Sequence, residues 1–152
     1  MDSGTAIVTG AAKRVGRAIA EALLADGWTV VAHVHRQGDP VPEGAIPVAA
    51  DLADPGCAER IFPAAEGRPP VRLLVNNAAR FAADGLDSFD AGELDAHVSV
   101  NLRAPILLTE ALAPCHQAGE ALVVNLLDAK LAAPNPDFLS YTLSKQALAG
   151  FT

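Results

Sequence analysis

Short apolar runs alternate with longer stretches of mixed polarity along the whole chain. The runs predict strands over 5–9, 28–34, 45–50, 71–76 and 120–127, and the spacing between them predicts helices over 15–26, 54–65, 91–118 and 138–152. Val71-Arg72-Leu73-Leu74-Val75 and Ala121-Leu122-Val123-Val124 are nearly continuous apolar runs, as strands covered on both sheet faces require. Gly27, Gly38, Gly44 and Gly67-Arg68-Pro69-Pro70 punctuate the elements. Pro105 is expected to bend the long helix or to sit in its first turn after Asn101. No repeat, low-complexity segment or linker interrupts the order. The succession predicts a single α/β domain over 1–152, a doubly wound parallel sheet with its ligand crevice at the C-terminal ends of the strands.

Length and composition suit that picture: 152 residues fall in the single-domain range, and 51% of them are apolar. The net charge of −7 and the lack of a basic stripe argue against a nucleic-acid partner. No apolar run reaches about 18 residues and no charged-then-apolar leader precedes the first strand, so neither a membrane span nor a secretory signal is expected. Cys57 and Cys115 are isolated, which fits reduced, buried thiols in a cytoplasm, and metal-ligand spacing is lacking.

Candidate chemistry begins right after the first strand, in Thr9-Gly10-Ala11-Ala12-Lys13-Arg14-Val15-Gly16. A strand, a glycine turn and an alanine-rich helix make the context in which a helix N-terminus receives a dinucleotide phosphate. Gly10 allows the sharp turn, and Gly16 lets helix and strand pack closely. The second strand ends in His35-Arg36, where an acid would favour the ribose hydroxyls of NAD. An arginine instead fits the 2′-phosphate of NADP(H), with Lys13 and Arg14 adding positive charge, and Asp39 comes too late in the loop to replace the acid. Asp51-Leu52 follows the third strand, Asn76-Asn77-Ala78 the fourth and Asp128 the fifth, so these groups share one sheet edge. Asp51 or Asp54 capping a helix, and Asn76 or Asn77 making a turn, are the plainer alternatives.

Tyr141 and Lys145 stand four residues apart, on one helix face. An ammonium beside a phenol favours the phenolate, so the pair reads as a tuned proton donor. Asp128, thirteen positions before Tyr141, adds a carboxyl group that can exchange a proton, unless it only terminates its strand.

Together these segments resemble the short-chain dehydrogenase/reductase family. The matches are the Thr-Gly-x-x-x-x-x-Gly turn at Thr9–Gly16, Asp51-Leu52, Asn76-Asn77-Ala78, Asn101 and Tyr141-x-x-x-Lys145. The resemblance implies a Rossmann-type fold, NAD(P)-dependent hydride transfer, and a homodimer or homotetramer. It assigns Tyr141 as general acid, Lys145 as the group that lowers its pKa and holds the nicotinamide ribose, and Asn101 as support for a water relay.

Three departures narrow it. Asp128 replaces the family's usual serine, and Arg14 and Ala79 replace glycines. With His35-Arg36, these features resemble the pteridine reductase branch, in which Phe81 would stack a pterin ring and Arg14 would approach phosphates and pterin. Ala79 and Arg80 depart from that branch, which has small hydroxyl residues there. The expected activity is NADPH-dependent reduction of a pterin-like C=N heterocycle of the dihydropterin or dihydrofolate class. The alternatives are a ketone or 3-oxoacyl reductase and a non-catalytic nucleotide-binding module. The chain stops soon after Lys145, at Thr152, in the expected catalytic helix, so a fragment lacking the family's last strands is expected, with the 120–127 strand as an exposed edge.

Overall fold

A computed structural model describes residues 3–114, 119–133 and 136–152. Five parallel strands form its sheet: β1 Thr5–Val8, β2 Thr29–Val34, β3 Ile46–Ala49, β4 Val71–Asn76 and β5 Leu122–Asn125. Their spatial order is β3-β2-β1-β4-β5, so successive crossovers change direction between β1 and β4. The strand ends diverge at that point and leave a crevice at their carboxyl edge. This is the doubly wound Rossmann-type sheet expected from the alternation of elements.

Position in the sheet explains the apolar pattern. Every residue of the central β1 is buried, whereas β5 is an edge strand that exposes Leu122 and Val124. On one face, α1 (Arg14–Ala25) brings Ile19, Ala20 and Leu23 against Val8, Val30, Ala32 and Val75. On the other, α2 (Cys57–Ile61) and α4 (Ala104–Leu112) bring Ile61, Ala104 and Leu108 against Ile7, Val31 and Leu74. Cys57 is a free, buried thiol. Cys115, and the end of the predicted 91–118 helix at 115–118, lie outside the described residues.

Two helices are less regular than expected. The helix predicted over 54–65 is α for Cys57–Ile61 only, followed by a 3₁₀ turn over Phe62–Ala65. Asp54 makes a turn instead of helix, accepting from the Gly56 N–H, and Pro63 cannot continue an α-helix. The helix predicted from residue 91 is α3 (Ala91–Val98), a π turn over Ser99–Arg103, then α4. Pro105 lies in the first turn of α4 and has no N–H for the Asn101 carbonyl four residues earlier, and the helix widens there. The last helix, α5 (Leu139–Phe151), carries Tyr141 and Lys145.

The turn after β1 is held from three sides. The Thr9 hydroxyl oxygen accepts from the N–H groups of Asn77 and Ala78, both at 3.0 Å. Asn77 Nδ2 donates to the carbonyls of Thr9 (2.8 Å) and Gly10 (3.3 Å). Gly10, at φ +67, donates its N–H to His33 Nδ1 at 3.2 Å. An N–H can only donate, so Nδ1 is the bare nitrogen, and Nε2–H donates to the Ala50 carbonyl at 3.0 Å. Neutral His33 thereby ties the glycine turn to β2 and β3.

Two outcomes follow from this clamp. A Cβ on Gly16 would stand 2.3 Å from both Asn77 Nδ2 and the Gly10 carbonyl oxygen. Gly16→Ala should therefore lower the free energy of unfolding by about 1–3 kcal/mol in a urea titration, and wild-type stability would contradict the clamp. Burial holds the His33 pKa below its ordinary value of 6.5. The unfolded chain then binds the extra proton first, so the contribution of His33 is complete above pH 6.5 and is lost as pH falls through the folded pKa. Stability should decline below pH 6.5, above the range where carboxylates titrate, and the decline should vanish in His33→Gln. A variant keeping the same pH slope would show that His33 is not its source.

Candidate active site

The crevice is a cavity of about 1050 Å³ running along the carboxyl edge of the sheet. Most of the residues expected at a site line it. Gly10, Lys13, Arg14, Val15 and Gly16 form one end, with His35, Arg36, Asp51 and Leu52 beside them. Asn77, Ala78 and Phe81 continue the wall toward Asp128, Tyr141 and Lys145. Asp39, despite its late place in the loop, also lines it, its carboxylate accepting from the Arg36 N–H at 3.0 Å. Asp51 lines the cavity and does not cap a helix: its carboxylate accepts from the Ala53 N–H at 2.9 Å, in a turn, and α2 begins only at Cys57 with no side-chain cap.

Charge within the cavity opposes that of the whole chain. Lys13, Arg14, His35 and Arg36 gather at the end where α1 begins. Arg14 holds a left-handed φ of +52, a conformation that favours glycine and costs a side-chain residue about 1–3 kcal/mol. A side chain kept in such a conformation, exposed at a helix N-terminus, suits an anion ligand.

At the other end Tyr141 and Lys145 are buried side by side on α5. Tyr141 Oη donates to Asp128 Oδ2 at 2.7 Å, so the carboxyl does more than end its strand. Burial first, and then the Asp128 carboxylate, push the phenol well above its ordinary range. The Lys130 N–H (2.9 Å) and the Tyr141 hydroxyl hold the Asp128 carboxyl below its ordinary range, against some desolvation. The shared proton therefore rests on the phenol oxygen. Lowering of the phenol by Lys145 is not what this arrangement produces. Lys145 Nζ donates to the Leu126 carbonyl at 2.7 Å, and burial holds its own pKa below the usual lysine value.

Phe81 is the aromatic wall. It stacks on Phe138 with ring centroids 4.3 Å apart and meets Tyr141 edge-on at 4.7 Å. It remains more than half exposed, so a flat ligand can share its surface. Arg80, which stands where small hydroxyl residues were expected, forks onto Glu93 with two bonds of 2.7 Å.

Asn76 and Asn101 are expected site residues that do not line the cavity. Asn76 is buried and donates to Asn125 Oδ1 at 2.8 Å, tying β4 to β5. Asn101 accepts from the Arg80 N–H (2.7 Å) and donates to the Arg80 carbonyl (3.0 Å) and Ser144 Oγ (2.9 Å). Both amide N–H donors of Asn101, and one bond to its Oδ1, anchor the Arg80 backbone and Ser144. Three contributors were not singled out from the sequence. His33 looked like part of an apolar strand, Phe138 like an ordinary helix start, and Asp84 carried no local signal. Thr9 was visible in the glycine motif, but its hydroxyl was not counted.

The residues fit a phosphate-bearing dinucleotide. Gly10 and Gly16 leave a cradle that a Cβ would fill, the start of α1 offers N–H groups, and four basic side chains surround it. Comparison with known proteins agrees. Residues 4–152 match the family model described as short chain dehydrogenase. Pteridine reductase 1 of Leishmania tarentolae is 33% identical, the match covering 97% of this chain and 68% of that protein. Carbonyl reductase [NADPH] 2 of Sus scrofa is 32% identical, over 97% and 62%. A FolM alternative dihydrofolate reductase 1 from Brucella suis, solved in complex with NADP, superposes with a TM-score of 0.87 at 34% identity. That superposition covers 99% of this chain and 65% of the other. The chain thus spans about two thirds of the length of these proteins. A strand-turn-helix cradle, a basic cavity and a Tyr141-Lys145 pair at the same sheet edge, together with these matches, place the chain in the short-chain dehydrogenase/reductase family, where it resembles the pteridine reductase-like branch.

Proposed function

We propose that this chain forms the NADP(H)-binding domain, over 1–152, of a reductase acting on the C=N bond of a pterin-like heterocycle of the dihydropterin or dihydrofolate class. The observation that carries the reading is the 2.7 Å hydrogen bond between Tyr141 and Asp128, beside the open face of Phe81. In the proposed reaction the ring carbon gains a hydride and the ring nitrogen gains a proton. NADPH, when bound, supplies the hydride and leaves as NADP⁺. The chain supplies the proton and the orientation. Tyr141 gives up its Oη proton, and Asp128, half-buried at the cavity wall, passes one back to it from water. Lys145, fixed by the Leu126 carbonyl, keeps an ammonium against the same wall, where it can hold a ribose.

Arg36, with Lys13, Arg14 and His35, is proposed to read the 2′-phosphate, and Asp51, Leu52, Asn77 and Ala78 to line the rest of the cofactor's path. Asn76 and Asn101 support these walls from behind. A cytoplasmic homodimer or homotetramer goes with this reading. The free Cys57 thiol and the exposed Ile106, Leu143 and Phe151 of α4 and α5 support it, and no helix among the described residues is long and apolar enough to cross a membrane. The second reading, an NADPH-dependent carbonyl reductase in which Asp128 only orients Tyr141, is favoured by the similarity to carbonyl reductase [NADPH] 2.

Cofactor choice is tested by exchanging Arg36 for an uncharged residue. NADPH binding should weaken by about 1.5–3 kcal/mol with NADH little affected, and equal losses would show that Arg36 does not read the phosphate. Chemistry is tested in the full-length enzyme. Tyr141→Phe should lower kcat by about 10²–10⁴-fold while the NADPH Kd changes little. Asp128→Ser should cut pterin turnover about as severely and spare ketone reduction. Ready reduction of ketones, with no turnover of any pterin or folate, would favour the carbonyl reading.

A further inference from the structure

We infer that Asp84 is the positioning residue of the proton-donating pair: it fixes the first turn of α5 and thereby sets where Tyr141 meets Asp128. The inference rests on the reading of Tyr141 as proton donor. Helix α5 begins without a cap of its own. Phe138, the residue before it, has a left-handed φ of +60 and no side-chain bond to the helix. Its first two N–H donors go instead to one residue on the loop after β4. The Leu139 N–H donates to the Asp84 carbonyl at 3.1 Å, the Ser140 N–H to Asp84 Oδ1 at 3.0 Å, and the Ser140 hydroxyl to Asp84 Oδ2. Ser140 and Asp84 are 56 positions apart in the chain.

Tyr141 is the next residue. Its backbone is thus held by Asp84 on one side, while its phenol is held by Asp128, on the loop after β5, on the other. Asp84 is buried and does not line the cavity, so it touches neither substrate nor cofactor. Burial pushes its carboxyl up, but the bonds from Ser140 and the neighbouring His97 outweigh that and bring it below the ordinary range. It therefore stays charged at neutral pH and complements the positive end of α5. The same loop carries Phe81, which meets the Tyr141 ring edge-on, so one segment aligns both the aromatic wall and the proton donor. Displacing a reacting group by about 1 Å can cost about 10²-fold in rate.

The test reads Tyr141 in the full-length protein as the difference from a Tyr141→Phe baseline, and Tyr141 is the only tyrosine of residues 1–152. The titratable groups facing its phenol or ring are Asp128, Lys145 and His97, and none of them is altered. Tyrosinate absorbance is followed with pH, with far-UV circular dichroism checking the fold at each point. In wild type the phenol should resist ionisation well above pH 10. In Asp84→Ala it should titrate near the ordinary value, raising the ionised fraction at pH 10.5 by about threefold or more. Asp84→Asn, whose amide can still accept from the Ser140 N–H and donate to its oxygen, should stay close to wild type. Ser140→Ala, a milder cut through the same contact, should fall between them and serves if Asp84→Ala does not fold. An unchanged titration in folded Asp84→Ala, or in Ser140→Ala if that variant must stand in, overturns the inference. The readout needs no substrate, so it stands or falls separately from the proposed reaction. In the full-length enzyme the matching result is a loss of kcat of about tenfold or more, with KM for NADPH unchanged and restored turnover in Asp84→Asn.

Discussion

A phenol that shares its proton with a carboxylate needs both groups held to within a few tenths of an ångström, and that demand organises this molecule. Tyr141 comes from α5 and Asp128 from the loop after β5, yet they meet at 2.7 Å. Neither element is rigid by itself. Helix α5 lacks a cap of its own, and β5 is a four-residue edge strand. Precision comes from cross-links between loops. Asp84 and Asn101 tie α5 to the segment after β4, Asn76 ties β4 to β5, and Lys145 takes the Leu126 carbonyl just beyond β5. The hydrogen bond is thus the result of a small polar network. One acceptor in it, the buried Asn76 Oδ1, has no hydrogen-bond partner among the described residues.

The cofactor end is built on the same principle with different chemistry. Thr9, Asn77 and His33 fix a glycine turn whose purpose is to leave space, and Gly16 keeps that space clear of side-chain atoms. Arg14 spends conformational strain where a glycine would rest easily. The two ends share the loop after β4. Asn77 belongs to the cradle, Phe81 to the aromatic wall and Asp84 to the start of α5.

The sheet was legible because buried parallel strands need continuous apolar runs, and β1, β2 and β4 have them. The glycine turn, the cations after β2 and the Tyr141-Lys145 spacing were legible because each is a short-range pattern with a steric or electrostatic cause. What spacing conveys is a shared face, not a partner. Lys145 faces Tyr141 as expected, but its ammonium is bonded to the Leu126 carbonyl, and the phenol answers to Asp128. Asn101 was visible as a residue, while its anchoring role depends on Arg80 and Ser144, 21 and 43 positions away. His33 and Asp84 act on partners 23 and 56 positions distant, and a local pattern holds no trace of such contacts. The widened turn at Ser99–Arg103 is intermediate, since Pro105 announced an irregularity without revealing its form.

In the proposed reaction this sheet edge aligns a hydride donor and the Tyr141–Asp128 pair on opposite atoms of one C=N bond. The direct measurement is isotope transfer in the full-length protein, using NADPH deuterated at the transferable position and a dihydropterin in ordinary water. The account predicts one deuterium at the ring carbon of the former C=N bond, a solvent proton at the nitrogen, and one NADP⁺ formed per pterin reduced. Tight NADPH binding with no deuterium delivered to any pterin or folate, while a ketone receives it at its carbonyl carbon, would contradict the account.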